Sequence, residues 1–244
     1  MFGQRHPIML CSNDRLPVAN ESMYTGRNES ISGGRAMQTI LRVAFVVASS
    51  LCLTVPALAG PFGLTRGMTR DQIIALVGKD SVVKETPNSI GGELLKLRTV
   101  PKPHHEFEAY NLFISKEDGL LKIVAVGVDI SSSSDGAEVR RDFSEMRSAL
   151  VANYSNPVHD FDFVKAGSIW DKPEDFMMGL LKQERILSSA WILENGSSLR
   201  DDLSIVAIEA SGLSSEKAYL TLTYEFKGWE AYVERVKAKE SSVL

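Results

Sequence analysis

Residues 107–130, FEAYNLFISKEDGLLKIVAVGVDI, decide the fold of this chain. The turn Lys116-Glu-Asp-Gly119 indicates a hairpin, because Gly119 can take the positive φ that tight turns between antiparallel strands need. It joins a strand at 107–115 to a second strand at 121–130. The second strand is apolar at both alternating sets of positions, which is typical of a central strand covered on both faces. The segment therefore predicts an antiparallel sheet with this hairpin inside it.

The sequence on either side predicts more strands and a few helices. Strand patterns occur at 80–86, 93–100, 159–164, 186–194, 203–210 and 218–226, with turns at Asn88–Gly92, Asn195–Gly196 and Ser211–Gly212. Helix patterns occur at 70–77, at 136–153, from Pro173 onward and at 228–239. Hairpin-linked strands with separate helices predict the α+β class, with antiparallel sheet or sheets packed by a few helices. The order also fits two diverged halves, 60–130 and 131–244.

The N-terminal region predicts export. Met37–Arg42 is a short start with one positive charge, residues 43–55 are mostly apolar, and Ala57-Leu-Ala59 offers small residues for cleavage. These are the three parts of a secretory signal peptide, and the apolar run is shorter than the roughly 20 residues that span a membrane. We therefore assign 37–59 as a signal peptide. The mature α+β domain is then 60–244, and we expect it to be periplasmic or secreted with no membrane span.

Residues 1–36 precede this signal peptide and have no amphipathic period. We interpret them as the product of a misplaced translation start or as a disordered extension. Both cysteines, Cys11 and Cys52, fall in the part of the chain that cleavage removes. Leu51 stands before Cys52, where a lipid-anchored protein needs a small residue. The mature domain would then contain no cysteine, and hence no disulfide and no thiol nucleophile.

Charge and motifs exclude several function classes. The formal net charge is −4 and the sequence pI is about 5.7, which argues against nucleic-acid binding through a basic surface. Neither a phosphate-binding G-x-x-x-x-G-K-[ST] loop nor a strand-coupled G-x-G-x-x-G motif occurs in the mature domain. We therefore predict no cofactor.

The densest ligand-like cluster is His104-His-Glu-Phe-Glu108. In an extended strand His104, Glu106 and Glu108 share one face, where an imidazole and carboxylates could hold Zn²⁺. A further ligand would have to come from His159 or Asp160. The alternative is an exposed polar edge after Pro103, since proline favours edge strands.

Candidate groups for a hydrolase are scattered. The carboxylates of Asp160 and Asp162 share one face of a strand, as a glycosidase pair would, but other carboxylates lie near them in sequence. The loop 131–134 with Asp135 could supply a nucleophile or cap the following helix. Ser81–Lys84 and Ser214–Lys217 match S-x-x-K, though neither lies at a predicted helix start. We assign no catalytic residue. Three tryptophans could line a groove but are more typical of a core: Trp170, Trp191 and Trp229.

The opening of the mature domain has a recognisable pattern. Thr69 and Gln72 form a capping box, Ile73, Ile74 and Val77 give one apolar face, and Gly78 ends the helix. Residues 63–78 resemble the opening of small bacterial envelope proteins of the SmpA/OmlA (BamE) type, and the rest looks like an exported proteobacterial protein. The resemblance implies a scaffolding or protein-contact role rather than catalysis. It carries over no functional residue.

These observations favour an exported periplasmic protein-contact or envelope-accessory domain whose partner is another envelope protein. Two alternatives stay open. One is a hydrolase acting on envelope polymer, with catalytic groups that only the fold brings together. The other is a binder of metal or a small ligand through residues 104–108.

Overall fold

A computed structural model describes residues 60–88, 92–193 and 199–241. The predictions for residues 1–36, for the signal peptide at 37–59 and for the turn Asn195–Gly196 lie outside these ranges. So does most of the predicted turn between Asn88 and Gly92.

The described chain has the predicted α+β class. Its strands are β1 Val82–Asn88, β2 Gly92–Leu97, β3 Phe107–Ser115, β4 Gly119–Gly127, β5 Ile130–Ser131, β6 His159–Val164, β7 Arg185–Ile192, β8 Leu203–Gly212 and β9 Lys217–Phe226. Its α-helices are α1 Arg70–Val77, α2 Ala137–Tyr154, α3 Phe176–Leu181 and α4 Trp229–Ser241. Within these described ranges, no helix is both long enough and apolar enough to cross a membrane.

All nine strands belong to one antiparallel sheet. The strand order is β1-β2-β3-β4-β9-β8-β7-β6, and the short β5 pairs with β9. Strands β1–β4 form one meander and β6–β9 a second, and the last strands of the two meanders pair in the middle, where Ile123 faces Tyr224. The two predicted halves therefore share a continuous sheet. That they arose by duplication stays a prediction.

The helix at the start of the domain forms as its sequence predicts. The Thr69 side chain accepts a hydrogen bond from the Gln72 amide, and the Gln72 side chain accepts one from the Thr69 amide. This capping box satisfies two amides that have no partner within α1. Gly78, with φ of 81°, ends the helix, and its amide donates to the Ile74 carbonyl at 2.8 Å.

A single hydrophobic core lies on one face of the sheet. Helix α2 contacts β5, β8 and β9, and α3 contacts β7, β8 and β9. The predicted apolar stripe of α2 is buried in this core: Val139, Phe143, Met146 and Leu150. Each such side chain contributes about 1.5–3 kcal/mol when it is buried. The core therefore holds α2 and α3 on the same side of β7–β9.

The predicted cover on both faces of β4 holds at Lys122, which Trp229 covers, but not at Val124 and Val126. Strand β4 is central, and Ile123 and Ala125 are fully buried on the side of the core. Val124 and Val126 point to the other side and are only half-buried. Helix α4 packs on that side through Trp229, which contacts Phe113, and through Tyr232, whose hydroxyl lies against Gly92 of β2. Local sequence cannot distinguish the faces of this strand, because the side on which α2 and α3 pack is set by tertiary contacts.

Several element boundaries differ from the predicted ones. The strand predicted from residue 80 begins at Val82, after a 3-10 turn at Lys79–Ser81. The helix predicted from Pro173 begins as a 3-10 turn and becomes α-helical at Phe176. The strand predicted at 121–130 ends at Gly127, where a Cβ atom would lie 2.7 Å from the Leu220 carbonyl oxygen. The close approach of two backbones at this point requires glycine.

Two neighbouring substitutions in β4 test the assignment of its faces. Ile123→Ala should lower the free energy of unfolding by about 2–5 kcal/mol, because it leaves a cavity in the core. Val124→Ala, on the uncovered side, should cost about 1 kcal/mol or less. Urea unfolding of both variants measures the difference. Equal losses would contradict the one-sided core.

Candidate functional site

The side of the sheet opposite α2 and α3 is a second surface of the described chain. Neighbouring strands present residues there in two rows, Phe161–Ser188–Glu209–Thr221–Val126 and His159–Ala190–Ala207–Thr223–Val124. We call these ten residues the open face; nine of them are partly or well exposed, and Thr223 is only 2% exposed. Helices α2 and α3 both contribute to the core on the opposite side. The open face is therefore a sheet surface that no helix of the described chain covers, apart from α4 at its margin.

Exposed apolar side chains concentrate at the β6 end of this face. In the described ranges, eight large hydrophobic residues are exposed. Three of them, Val158, Phe161 and Phe163, lie on β6 or directly before it. Leu193 follows the end of β7, Ile169 lies in the loop after β6, and the other three are elsewhere. Scattered exposed apolar residues are ordinary on a protein surface, whereas a contiguous group marks a site of interaction.

The aromatic side chains of β6 form a continuous row. His159 stacks on Phe161 with ring centroids 5.6 Å apart, and Phe161 meets Phe163 edge to face at 5.8 Å. Phe161 and Phe163 are 43% and 45% exposed. Alternating residues of a strand point to opposite faces, so the sequence HDFDFV places all three rings on the open-face side. The three rings therefore form one continuous aromatic surface.

Two arginines of α2 hold β6 from the core side. Arg147 donates twice to Asp160, with Nε–Oδ1 at 3.1 Å and Nη2–Oδ2 at 2.5 Å. Arg140 donates to Asp162 at 3.1 Å. The predicted placement of both carboxylates on one face is confirmed. The hydrogen bonds from Arg147 lower the pKa of Asp160, whereas a glycosidase needs one carboxyl of its pair raised. The pair therefore positions β6 rather than resembling an acid–base pair.

A single carboxylate lies at the centre of the open face. Glu209 stands between Ser188 of β7 and Thr221 of β9. Burial raises the pKa of its carboxyl group, and no hydrogen bond or ion pair to another described residue compensates for the lost hydration. A cationic group of a binding partner would supply that compensation.

The predicted metal cluster does not assemble. The chain turns at His105 and Glu106, with the Phe107 amide donating to the His104 carbonyl, so the strand begins only at Phe107. His104 stacks on His105 with ring centroids 4.7 Å apart, instead of sharing a strand face with Glu106 and Glu108. Across the described ranges, no group of three or more metal-ligating side chains is arranged to hold an ion. The predicted extended conformation fails because Pro103 is followed by a turn.

The predicted serine sites have structural roles. Ser132 and Ser133 donate to the Glu138 carboxylate, and the Ser133 amide joins them, which lowers the pKa of Glu138 to about 2. The loop thus contacts the start of α2 through Glu138, but its serines do not cap the helix. The N-cap residue is Gly136, and of these loop side chains only Asp135 accepts from a helix amide, that of Ala137 at 3.4 Å. Ser81 is buried in a 3-10 turn and donates to the Val77 carbonyl. The Ser214 hydroxyl accepts from the Glu216 amide in the β8–β9 turn.

The three tryptophans differ in burial. Trp191 is 2% exposed and donates from Nε1 to the Ser155 carbonyl at 2.8 Å, which confirms a core position. Trp229 is half-buried against Phe113, and the Nζ atom of Lys122 lies 5.0 Å from its ring. Trp170 is half-buried in the loop after β6. They are dispersed through the fold and do not line one groove.

A groove lies between the start of α1 and the β3–β4 turn, with a volume of about 490 Å³. It is wide open, and its main charged groups pair with one another or with adjacent residues. Arg70 donates to Glu85 at 2.5 Å and lies 3.7 Å from Glu93, and Asp118 pairs with Arg235. Burial raises the pKa of Glu93, while Arg70 opposes that rise. The residues that line the groove include no histidine to serve as a base beside a hydroxyl nucleophile.

Comparisons with protein-family models, with curated proteins and with solved structures found no match. The fold and its surfaces thus define an α+β domain with one antiparallel sheet and an open face. The resemblance of residues 63–78 to envelope proteins stays a prediction.

Sequence reasoning missed the open face, its aromatic row and Glu209. A signal was present, because HDFDFV alternates acidic and aromatic residues between two polar loops. The alternation predicts that the two carboxylates share one face, and it equally indicates that the aromatic residues share the other. Glu209 has no comparable signal, since a single acid in a strand such as β8 can equally lie at a solvated edge.

The uncompensated burial of Glu209 predicts a pH-dependent cost to stability. Because its pKa is raised by folding, ionisation opposes folding once the pH exceeds the range of an ordinary glutamate. Glu209→Gln should therefore unfold at higher urea than the natural protein at pH 7, and this advantage should disappear near pH 4. The exposed control Glu216→Gln should change little at either pH. An advantage of Glu209→Gln that persists at pH 4 would contradict the explanation.

The ion pair between α2 and β6 predicts a measurable coupling energy. In a double-mutant cycle of Arg147→Gln and Asp160→Asn, we expect about 0.5–1 kcal/mol, because the geometry is bidentate but both groups are partly exposed. The coupling should fall in 1 M salt. The exposed neighbouring pair Arg141 and Asp142 provides the control cycle and should give a smaller value. Urea unfolding measures all variants.

Proposed function

We propose that this protein is an exported periplasmic protein-contact domain, an envelope accessory that acts by binding another envelope protein. The open face and the exposed apolar side chains around β6 form the binding surface. The signal-peptide pattern at 37–59 and the likeness of residues 63–78 to bacterial envelope proteins support the compartment and the class of partner.

One observation carries this proposal: the apolar row of β6 adjoins a sheet face that the described helices leave uncovered. The face is chemically mixed, with small apolar residues such as Ala190 and Ala207 beside Ser188, Glu209 and Thr221. Protein interfaces have this composition, with apolar contact around a few polar groups that fix orientation. Exposed aromatic residues are enriched at such interfaces and depleted elsewhere on surfaces.

The size of the open face supports a specific but incomplete interface. Five strands about 4.8 Å apart, each presenting two open-face residues about 6.8 Å apart, cover roughly 330 Å². A standard interface buries about 800 Å² on each partner. The partner must therefore extend beyond the face itself, and the exposed side chains of β6 and its flanking loop are the adjoining apolar surface.

Site-specific photo-cross-linking in the native host tests the proposal. A photoreactive amino acid replaces Ser188 or Thr221, which flank Glu209 on the open face. The matched controls replace Ser144 or Glu145, which are exposed on α2 on the other side of the sheet. We expect the two open-face positions to give the same discrete adduct in the periplasmic fraction, on a mature chain that begins at Gly60.

Three results would contradict the proposal. The first is an adduct of equal yield at the α2 controls. The second is no adduct at either open-face position although the variants unfold at the same urea concentration as the natural protein. The third is recovery of the unprocessed chain from the cytoplasm, which would remove the compartment and with it the envelope partner.

A further inference from the structure

The two edges of the sheet differ in their protection. Strand β1 carries Lys84, Glu85 and Pro87, and charged residues and proline on an edge discourage pairing with another chain. Strand β6, at the other edge, has neither proline nor lysine, its two aspartates are paired with arginines of α2, and it exposes Phe161 and Phe163. Among the described residues no strand lies on the outer side of β6. The β6 edge is thus open in a way that β1 is not.

The backbone of β6 offers hydrogen-bonding groups along this edge. The Lys165 amide donates to the Glu184 carbonyl at 2.7 Å. In an antiparallel pair, hydrogen-bonded residues alternate along each strand, so Phe163, Phe161 and His159 also bond to β7 through their backbone. The alternate residues Asp160, Asp162 and Val164 direct their amides and carbonyls away from β7. Three donors and three acceptors therefore line the free edge.

We propose that β6 receives an extended segment of the partner protein as a tenth strand of the sheet. This inference rests on the proposed protein-contact function and names the form of contact. Main-chain hydrogen bonds would supply affinity, as in other cases of strand addition, and side chains on alternate positions would supply specificity. The added strand would also enlarge the open face, which alone is smaller than a standard interface.

The side chains of β6 define the chemistry of the added segment. On the open-face side its residues would lie beside His159, Phe161 and Phe163, so they should be apolar. On the other side they would lie directly opposite Asp160 and Asp162, which are 49% and 43% exposed and accept hydrogen bonds only. Asp160 already accepts from Arg147 and Ser189, and Asp162 accepts from Arg140. Neutral donors such as threonine therefore fit their remaining lone pairs, whereas carboxylates offer no hydrogen to donate. The segment therefore alternates apolar residues with neutral donors such as threonine.

A second copy of this chain fits the edge poorly. Consider two β6 strands paired antiparallel over five residues with their aromatic rows on the same face. In the register where the two Phe161 residues face each other, Asp160 of one copy lies opposite Asp162 of the other. In the register where the two Asp162 residues face each other, those two carboxylates are directly opposite. Like charges directly opposite each other destabilise a sheet. The edge thus favours a different chain.

A synthetic peptide tests the inference on the full chain. The probe is Thr-Val-Thr-Phe-Thr-Val-Thr, and its matched control replaces the third and seventh residues with glutamate. Amide hydrogen exchange, followed by NMR, reports each edge separately. We expect saturating probe to slow exchange at Asp160, Asp162 and Val164 by about tenfold or more, because these amides gain hydrogen-bond partners. Amides of β1 should not change, and the glutamate peptide should bind more weakly.

A pair of substitutions at one position isolates the backbone contribution. Val164→Pro removes an amide that points outward, so it costs no hydrogen bond to β7, and proline is tolerated on sheet edges. It should weaken probe binding by about tenfold, since a donor is lost and the ring obstructs the added strand. Val164→Thr keeps the amide and should bind within about threefold of the natural protein. Equal binding by the two variants would overturn strand addition.

Other results would also overturn the inference. Protection of the three amides before any peptide is added would mean that the edge is already occupied. Such protection would indicate a second copy if it rises with protein concentration and this chain's own N-terminal segment if it does not. If the open face cross-links to a partner but the probe leaves these amides unprotected, the protein-contact function stands and strand addition fails. If neither experiment gives contact, both fail.

Discussion

The pairing of β4 with β9 is the constraint on which the rest of the structure depends. It joins the two meanders into one sheet and so places β1 and β6 at opposite edges. Lys122 and Glu225 face each other across this junction at 2.9 Å, and their side chains are only 12% and 10% exposed. The start of α4 covers this pair through Trp229. An ion pair so enclosed fixes register more than it adds stability, since desolvation offsets much of its attraction.

Helices α2 and α3 pack on only one side of the joined sheet. Strand β6 therefore receives its support from α2, on that side. Because α2 and α3 lie on the same side of β7–β9, the other side stays without a helix in the described chain. An edge strand has only one neighbour, and the residues of β6 are exposed apart from Val164. Arg140 and Arg147 compensate by tying its acidic residues to α2. The strand is thereby held in place from the core side while its aromatic side stays accessible.

The sequence predicts elements with a strong period well and surfaces poorly. The capping box of α1, the stripe of α2 and the Lys116–Gly119 hairpin turn are local patterns, so their positions follow from neighbouring residues. The open face is not local, because Val124 and Ile123 are both apolar and only the side chosen by α2 and α3 separates them. The turn at His105–Glu106 likewise depends on how the chain enters β3, which the alternation of His104, Glu106 and Glu108 does not encode.

The balance of charges separates a contact surface from a catalytic one. In the described chain, the arginines near candidate acids engage those acids: Arg70 with Glu85, Arg147 with Asp160, Arg235 with Asp118. Acid–base catalysis needs groups whose pKa values are moved apart within reach of one substrate, and these pairs are dispersed over different parts of the fold. The exposed groups near β6 are instead apolar. They are the rings of Phe161 and Phe163 and the side chains of Val158 and Ile169. The free energy of the system falls when another surface removes exposed apolar side chains from water. A protein partner covers more of this surface than a small substrate does, and so explains the exposed side chains better.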